Sequence, residues 1–426
     1  MFRLLIICTE RAITAIAMKN SREFAIEVTQ KLQAAGFNAL WAGGCVRDQL
    51  AGRVPKDYDV ATSATPEQVR ELFGRKRTLA IGESFGVITV LGPKSVDPIE
   101  VATFRRDAGY SDGRRPDKVE FTDAREDAIR RDFTINGMFY DPIKEQVIDY
   151  VGGQEDLRLR IVRAIGDPHE RIAEDKLRML RAIRFAATFD FEIDAGTLSA
   201  VQQNASQIKV VSGERIGVEL RRMFNSPNRA VAVRHLHESK LLPEILPGSE
   251  CFANAQIFGR MLATVRRLDE GDFVSSVCLL VEPVSDLKIV DRLADDWKLS
   301  NDERNSIQWI LSNKEVLAKA DQLNWSVVQP VLIRSDAETA LKVLEADTPG
   351  SVGVAFCRER LEWPDDRLDP KPFLGGNQLR ELGIEPGPLF GKILSQIRSG
   401  QLDGEIVTLQ QAQDIALGIA DTETGS

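Results

Sequence analysis

Gly43-Gly44-Cys45-Val46-Arg47-Asp48 opens the decisive stretch, and eight residues then lead to Asp57-Tyr58-Asp59. The order reads as a glycine turn into a helix, then a strand bearing two carboxylates. Side chains alternate across a strand, so Asp57 and Asp59 share a face with Cα atoms about 7 Å apart. Two carboxylates so placed can hold a pair of divalent metal ions for in-line attack on a phosphate. Backbone N–H groups near Gly43 and Gly44 can hold a triphosphate whose charge Arg47 offsets. Gly-Gly alone is only a turn, and Asp-x-Asp alone is a solvated strand edge. Their succession carries the reading.

Outward from this stretch the pattern is that of an α+β unit. Phe24, Ala25, Val28, Leu32 and Ala35 recur at helical spacing, so a helix is predicted over 21–36, ended by Gly36, with a strand over 38–42. Val46 to Leu50 reads as a helix and Tyr58 to Ala61 as the strand with the Asp pair. Thr65-Pro66-Glu67 starts a helix through Phe73, since proline suits a first helical turn. Ile81 to Val90 reads as a turn into a strand, and Ile99 to Phe104 as another strand with Glu100, Ala102 and Phe104 on one face. A charged loop over 109–116, a helix over 123–139 and a strand from Val147 to Tyr150 complete the unit. From about 155 onward helical periods replace strands, with breaks at Pro243, Pro247, Gly248, Pro364, Pro370 and Pro372.

At 426 residues the chain exceeds one ordinary core, and 43% apolar with 28% charged residues is a soluble globular composition. No stretch approaches the roughly 18 apolar residues of a membrane span. Met1 to Cys8 mimics a signal peptide, but Glu10 and Arg11 cut it short. Residues 1–17 are therefore read as a mis-assigned start or disordered extension before Met18. Five scattered cysteines without C-x-x-C exclude a disulfide framework or zinc site and fit a reducing cytoplasm. Three histidines and no His-Asp dipeptide exclude histidine-rich metallohydrolase chemistry. The net charge of −9 opposes a nucleic-acid partner, yet arginines and lysines concentrate over 105–131 and 158–184. Such clusters form either a basic cleft or solvated helix faces.

Three further motifs follow in order: Arg130-Arg131-Asp132-Phe133-Thr134-x-Asn136, Glu174-Asp175-x-x-Arg178-x-x-Arg181-Ala182-x-Arg184-Phe185, and Glu214-Arg215-x-x-x-Glu219. With the opening motifs they resemble the bacterial (class II) tRNA nucleotidyltransferase and poly(A) polymerase family, over about residues 36–225. Gly383 to Pro388 and Leu402 to Ile406 resemble its tails more loosely. The resemblance implies an α+β fold with a head similar to DNA polymerase β (18–155). An all-α neck (156–230), body (231–365) and tRNA-binding tail (366–426) would follow. The implied activity is template-independent transfer of CMP and AMP from CTP and ATP to the 3′ end of tRNA, most like a CCA-adding enzyme. Mg²⁺ would be the cofactor and the tRNA acceptor arm the partner. The location would be cytoplasmic, with no membrane and no stable protein partner.

Under the same resemblance Asp57 and Asp59 hold two Mg²⁺ ions. Glu100 is either a third acid of that site or an edge carboxylate facing water. Gly44 and Arg47 bind nucleotide, Arg131 lies near its phosphates, and Asp132 contacts the ribose. Asp175 and Arg178, three apart on a helix, form either a weak surface pair or a template for the base. Cytosine and adenine each show an amine beside an unprotonated ring nitrogen, which a carboxylate and a guanidinium match. Uracil and guanine show the reverse pattern and leave both groups unpaired. Arg181 and Arg184 are implied at the nucleotide site, although helical drift of about 60° per three residues sets Arg184 nearly opposite Asp175. Glu214, Arg215 and Glu219 are read as braces. Gly137 stands where the family often has alanine. The loop over 105–118, with Arg106, Asp107, Asp112, Arg114 and Arg115, implies ATP use. The alternatives are an A-adding enzyme, a poly(A) polymerase (disfavoured by the acidic charge), and an inactive tRNA-binding relative.

Overall fold

The computed structural model describes residues 21–82, 86–94, 96–108, 118–284 and 288–424. The expected extension at 1–17 and the loop residues Asp112, Arg114 and Arg115 lie outside them. Two compact units result. The first runs to Glu219 and includes Val231–Ile245; the second comprises Leu220–Ala230 and the chain from Leu246 onward.

In the first unit, helix α1 (21–34) leads to β1 (Ala39–Ala42), α2 (Gly44–Leu50), β2 (Asp59–Thr62) and α3 (Pro66–Phe73). Thr65 and Gln68 close a reciprocal capping box on α3, with Pro66 in its first turn. Strands β3 (Thr78–Gly82), β4 (Val87–Val90), β5 (Ile99–Thr103), β6 (Arg105–Ala108) and β7 (Lys118–Phe121) follow. Next come α4 (Ala124–Ile129), β8 (Phe139–Asp141), β9 (Gln146–Ile148) and α5 (Gly153–Leu159). The main sheet has the order β3-β4-β5-β2-β1-β8-β9, and only the β2–β5 pair is parallel.

Alternation along the strands gives the sheet two cores. On one face Trp41, Val60, Ile99 and Val101 pack with Phe24, Val28 and Leu32 of α1 and Val69 and Phe73 of α3. On the other, Leu40, Ala42, Ala61, Phe104 and Phe139 pack with Ala124 and Ala128 of α4. Asp59 and Glu100 share the second face, because Ala61 lies two residues beyond Asp59 and Phe104 four beyond Glu100.

Three expectations need correction. The helix predicted over 123–139 stops at Ile129, because Asp132 turns back to accept the Phe133 N–H (2.8 Å) and Phe133 is extended. The loop placed at 105–118 opens with strand β6 and ends where β7 begins, the two paired antiparallel from Arg105↔Phe121 to Ala108↔Lys118. The second half is not purely helical: β10 (Ile161–Val162) and β11 (Glu192–Ile193) form a short parallel ladder. Between and after them lie α6 (Pro168–Glu174), α7 (Arg178–Phe189), α8 (Ala195–Asn204) and α9 (Gly213–Phe224).

The second unit is helical among the described residues. Phe273 packs on both Phe224 (6.2 Å) and Trp297 (6.4 Å) between ring centroids. Buried Arg229 donates to the carbonyls of Phe224, Leu268 and Gly271. A separate core of Leu374, Leu379, Ile384, Ile393, Ile397 and Ile406 draws entirely on the last segment. Among the described residues no helix is long and apolar enough to cross a membrane.

Candidate active site

Parallel pairing of β2 with β5 sets Asp59 directly beside Glu100. Asp57 precedes on the same side, because Tyr58 between them is buried edge-on against Trp41 (4.7 Å). All three carboxylates are exposed residues at the strand ends. The protein packed around the Asp59 carboxyl, reinforced by the charges of Asp57 and Glu100 and opposed by Arg131, pushes its pKa up to about 6. The first turn of α2 adjoins this cluster. Cys45 there is pushed up to about 12, first by burial, while the Asp59 backbone hydrogen-bonds its sulfur.

Gly43 takes the left-handed φ of +70°, and a Cβ there would lie 2.9 Å from Arg131 Nη1. The bare glycine thus makes room for that guanidinium. Arg131 forks onto Asp127 Oδ2 (3.2 and 2.9 Å), while Arg130 forks onto Oδ1 (2.9 and 2.7 Å). Burial alone would raise the Asp127 pKa, but the two arginines outweigh it and hold it low. Asp127→Asn would leave two guanidiniums around a neutral amide in a buried position. The expected cost is about 3–5 kcal/mol in chemical denaturation, and a loss below about 1 kcal/mol would remove Asp127 as the anchor.

Asp132 has both carboxylate oxygens engaged. Oδ1 accepts from Phe133 N (2.8 Å) and Asn136 Nδ2 (3.0 Å), and Oδ2 accepts two bonds from Arg181 (2.9 and 2.6 Å). Burial would raise its pKa, yet Arg181, Asn136 and the Phe133 N–H hold it at about 2. The unfolded chain binds this proton more readily, so the stabilisation exists above pH ~4 and is lost as pH falls through 2. It amounts to ~2 kcal/mol. Urea midpoints measured from pH 5 to 2 should fall less steeply in Asp132→Asn than in the parent; equal slopes would contradict the assignment.

Asn136 also accepts from Arg47 Nη1 (2.6 Å), and Arg47 donates in addition to Asp48 (2.9 and 2.7 Å). The Arg47 guanidinium is buried over Phe189 (4.5 Å) and Phe185 (5.1 Å). Arg47 therefore braces α2 against α7 and the 132–136 turn from inside the protein. Gly44 is the first residue of α2 beside it. Gly137 is confined: a Cβ there would meet Val151 at 2.7 Å and Ile165 at 2.9 Å. That crowding accounts for glycine where the family often carries alanine.

Asp175 and Arg178 do not share a continuous helix, which corrects the sequence expectation. Asp175 is extended (φ −145°, ψ 107°) after α6, its carboxylate accepts the Leu177 N–H (3.0 Å), and α7 starts at Arg178. The angle counted from Asp175 to Arg184 thus has no helical basis. Arg215 of α9 holds Asp175 bidentately (3.1 and 2.7 Å). Arg178 bonds Glu174, the Arg171 carbonyl (2.8 Å) and the Arg130 carbonyl (3.4 Å). A carboxylate has about four lone-pair positions, so one on Asp175 stays available. Arg178 likewise keeps its Nε–H without a partner among the described residues. Arg181 and Arg184 converge on buried Glu219, Arg184 by a short hydrogen bond and Arg181 at 3.9 Å.

Asp127, Asn136 and Glu174 are the site residues to which sequence reasoning gave no role. The i+3 and i+4 spacing of Arg130 and Arg131 from Asp127 was the available signal for the first. Asn136 and Glu174 stood within quoted motifs: the Arg47 partner of Asn136 comes from elsewhere in the chain, while the spacing of Glu174 from Arg171 and Arg178 was itself a signal.

Residues 39–163 match the Poly A polymerase head domain family, and residues 190–252 match a family described as the probable RNA and SrmB-binding site of polymerase A. The CCA-adding enzyme of Limosilactobacillus reuteri is 33% identical over 402 residues, covering 91% of this chain and 95% of that one. The CCA-adding enzyme of Lactococcus lactis subsp. cremoris is 33% identical over 392 residues, with 90% and 93% covered. A crystal structure of the Bacillus stearothermophilus CCA-adding enzyme in complex with CTP superposes with a TM-score of 0.77 at 26% identity, covering 94% of this chain and 98% of that one. The Thermotoga maritima CCA-adding enzyme complexed with tRNA shares the fold, at TM-score 0.68 and 20% identity, with 93% and 94% covered. A mixed-sheet head of this topology, with facing carboxylates beside a Gly-Gly turn, defines a nucleotidyltransferase. The chain belongs to the CCA-adding enzyme family.

Proposed function

We propose that this chain adds CMP and AMP from CTP and ATP to the 3′ end of tRNA, working in the cytoplasm. The observation that carries the reading is the register of Asp59 beside Glu100, with Asp57 on the same side and Arg131 facing them.

Nucleotidyltransferases generally use divalent metals, and the donors here are all carboxylate oxygens, which suit Mg²⁺. The pKa of Asp59 is raised first by the protein packed around it and then by the charges of Asp57 and Glu100, and a divalent cation would relieve the second of these. Among the described residues no three acidic, cysteine or histidine side chains are grouped so as to hold a metal ion, so the proposal rests on the Asp57 and Asp59 pair. Asp57 and Asp59 would hold Mg²⁺, with Glu100 beside them. When bound, the metal supplies charge neutralisation at the attacking 3′-hydroxyl and the departing pyrophosphate.

The remaining work falls to the chain itself. Arg131 faces the phosphates, while Arg47, held by Asp48 and Asn136, keeps the Gly44 turn in place. Asp132 fixes Arg181, and its proposed ribose contact would replace one of the four hydrogen bonds that its carboxylate accepts. Asp175 accepts from the amine of cytosine or adenine through its open position, and Arg178 donates to the ring nitrogen. Arg215 and Glu174 preset the two side chains, so selection needs little ordering on binding. Arg184 supports the same helix through Glu219. The helices beyond 230 would hold the acceptor arm by shape and phosphate contacts.

The test is single-nucleotide extension of tRNAs ending before CCA, after C and after CC, with each NTP and Mg²⁺ and an unstructured RNA as control. Ordered C, C and A on tRNA alone is the expected result. A added only to the CC end would make the chain an A-adding enzyme, and long A tails on any RNA a poly(A) polymerase.

A further inference from the structure

Glu174 divides its carboxylate between two arginines. Oε1 lies 2.7 Å from Arg171 Nη2, and Oε2 accepts from Arg178 Nη1 (2.5 Å). A carboxylate facing one arginine commonly takes two parallel N–H bonds from it. Here the second oxygen is withheld from Arg178 because Arg171 occupies it. Among the described residues Arg178 meets its acceptors through Nη1 and Nη2, on Glu174 and on the carbonyls of Arg171 (2.8 Å) and Arg130 (3.4 Å). Its Nε–H stays open.

The backbone of Arg171 serves the same place. Its carbonyl accepts from Arg178 Nη1 and also from the Asp175 N–H (3.4 Å), so both members of the proposed base-reading pair bear on one residue. Arg171 and Glu174 stand three apart in α6, and that spacing alone would make an ordinary helix pair. Two observations go beyond it. The Arg171 and Glu174 side chains are only 18% and 20% exposed, so solvent screens them little. Arg171 Nε is buried with no hydrogen-bond partner among the described residues, a cost that a pair serving stability alone has no reason to carry.

We propose that Arg171 is a positioning residue for base selection. By occupying Glu174 Oε1 it keeps Glu174 from forking onto Arg178, and so leaves the Arg178 Nε–H for the ring nitrogen of cytosine or adenine. The proposal rests on the reading of Asp175 and Arg178 as the base-reading pair. Without the Arg171 guanidinium, both Glu174 oxygens turn to Arg178, and the base competes with charge-assisted bonds about twice as strong as neutral ones. Cytosine loses a contact that uracil never made. Discrimination therefore narrows, rather than all transfer falling in step.

The test is kcat/KM for CTP and for UTP on tRNA ending before CCA, in the parent, Arg171→Ala, Arg171→Lys and Arg178→Ala. Alanine keeps the backbone carbonyl and suits a helix, so Arg171→Ala removes the guanidinium alone. Its preference for CTP over UTP should fall about 10-fold, through loss of kcat/KM for CTP. Lysine offers Oε1 one charged donor and should hold the preference within about threefold of the parent. An unchanged preference in Arg171→Ala, beside a lost one in Arg178→Ala, would overturn the positioning role and leave the base-reading pair standing. Equal losses for CTP and UTP, or a lysine variant as poor as alanine, would likewise overturn it. An unchanged preference in Arg178→Ala would overturn the base-reading pair and this proposal with it. Should Arg171→Ala misfold by circular dichroism, Arg171→Met replaces it, because its unbranched stem keeps the packing without the charge.

Discussion

Asp57→Ala is expected to lower nucleotide transfer by about 10³-fold or more while tRNA affinity stays within about twofold. The side chain is exposed and no group among the described residues depends on it for a hydrogen bond, so its removal should not disturb the strand. What disappears is one of two carboxylates proposed to hold the metal. Loss of several kcal/mol of transition-state stabilisation follows, at tenfold per 1.4 kcal/mol or so. Single-turnover transfer with saturating tRNA and CTP measures the rate, and filter binding measures affinity. Retained turnover would dismiss the paired-metal role, and lost tRNA binding would make Asp57 a contact for RNA instead.

Arg178→Ala should bring the second large effect, a fall of about 10²-fold or more in the preference for CTP over UTP. A site built to hydrogen-bond one base edge rejects another because the mismatch leaves buried groups unpaired. Removing the guanidinium removes that penalty. Alanine also frees Glu174 and two carbonyls, so Arg178→Lys is the better control. Lysine keeps the charge but not the planar fork, and should lose selectivity with the fold intact. Misincorporation measured as kcat/KM for each NTP decides the matter. Unchanged ratios in both variants would make Arg178 purely a bracing residue.

Much of the head was legible because local rules decide it. Asp59 opens strand β2 and Asp57 lies two residues before it, with buried Tyr58 between the exposed pair as alternation requires, and Pro66 opens a helix. Failures occur where distant partners override local pattern. The run over 123–139 has helical composition, but Asp132 is claimed by Arg181, forty-nine residues later, and the backbone turns there. Asp175 looked helical until its own carboxylate capped Leu177 and Arg215, forty residues later, fixed it in place. Neither event leaves a periodic trace. Arg47 was read as facing phosphate, whereas two aromatic rings and Asn136 draw it inward. The sheet order also escaped sequence reading, since it depends on the parallel β2–β5 pairing that sets Glu100 beside Asp59.

The carboxylates proposed to hold the metal stand at strand ends, and the pair proposed to read the base stands where α6 gives way to α7, tied down by Arg215. On that proposal, speed and accuracy rest on different mechanical supports. Damage to α9 should produce an enzyme that still polymerises but misspells, whereas damage to β2 should produce a silent one. Heat, ageing or mutation can thus degrade the message before stopping the press.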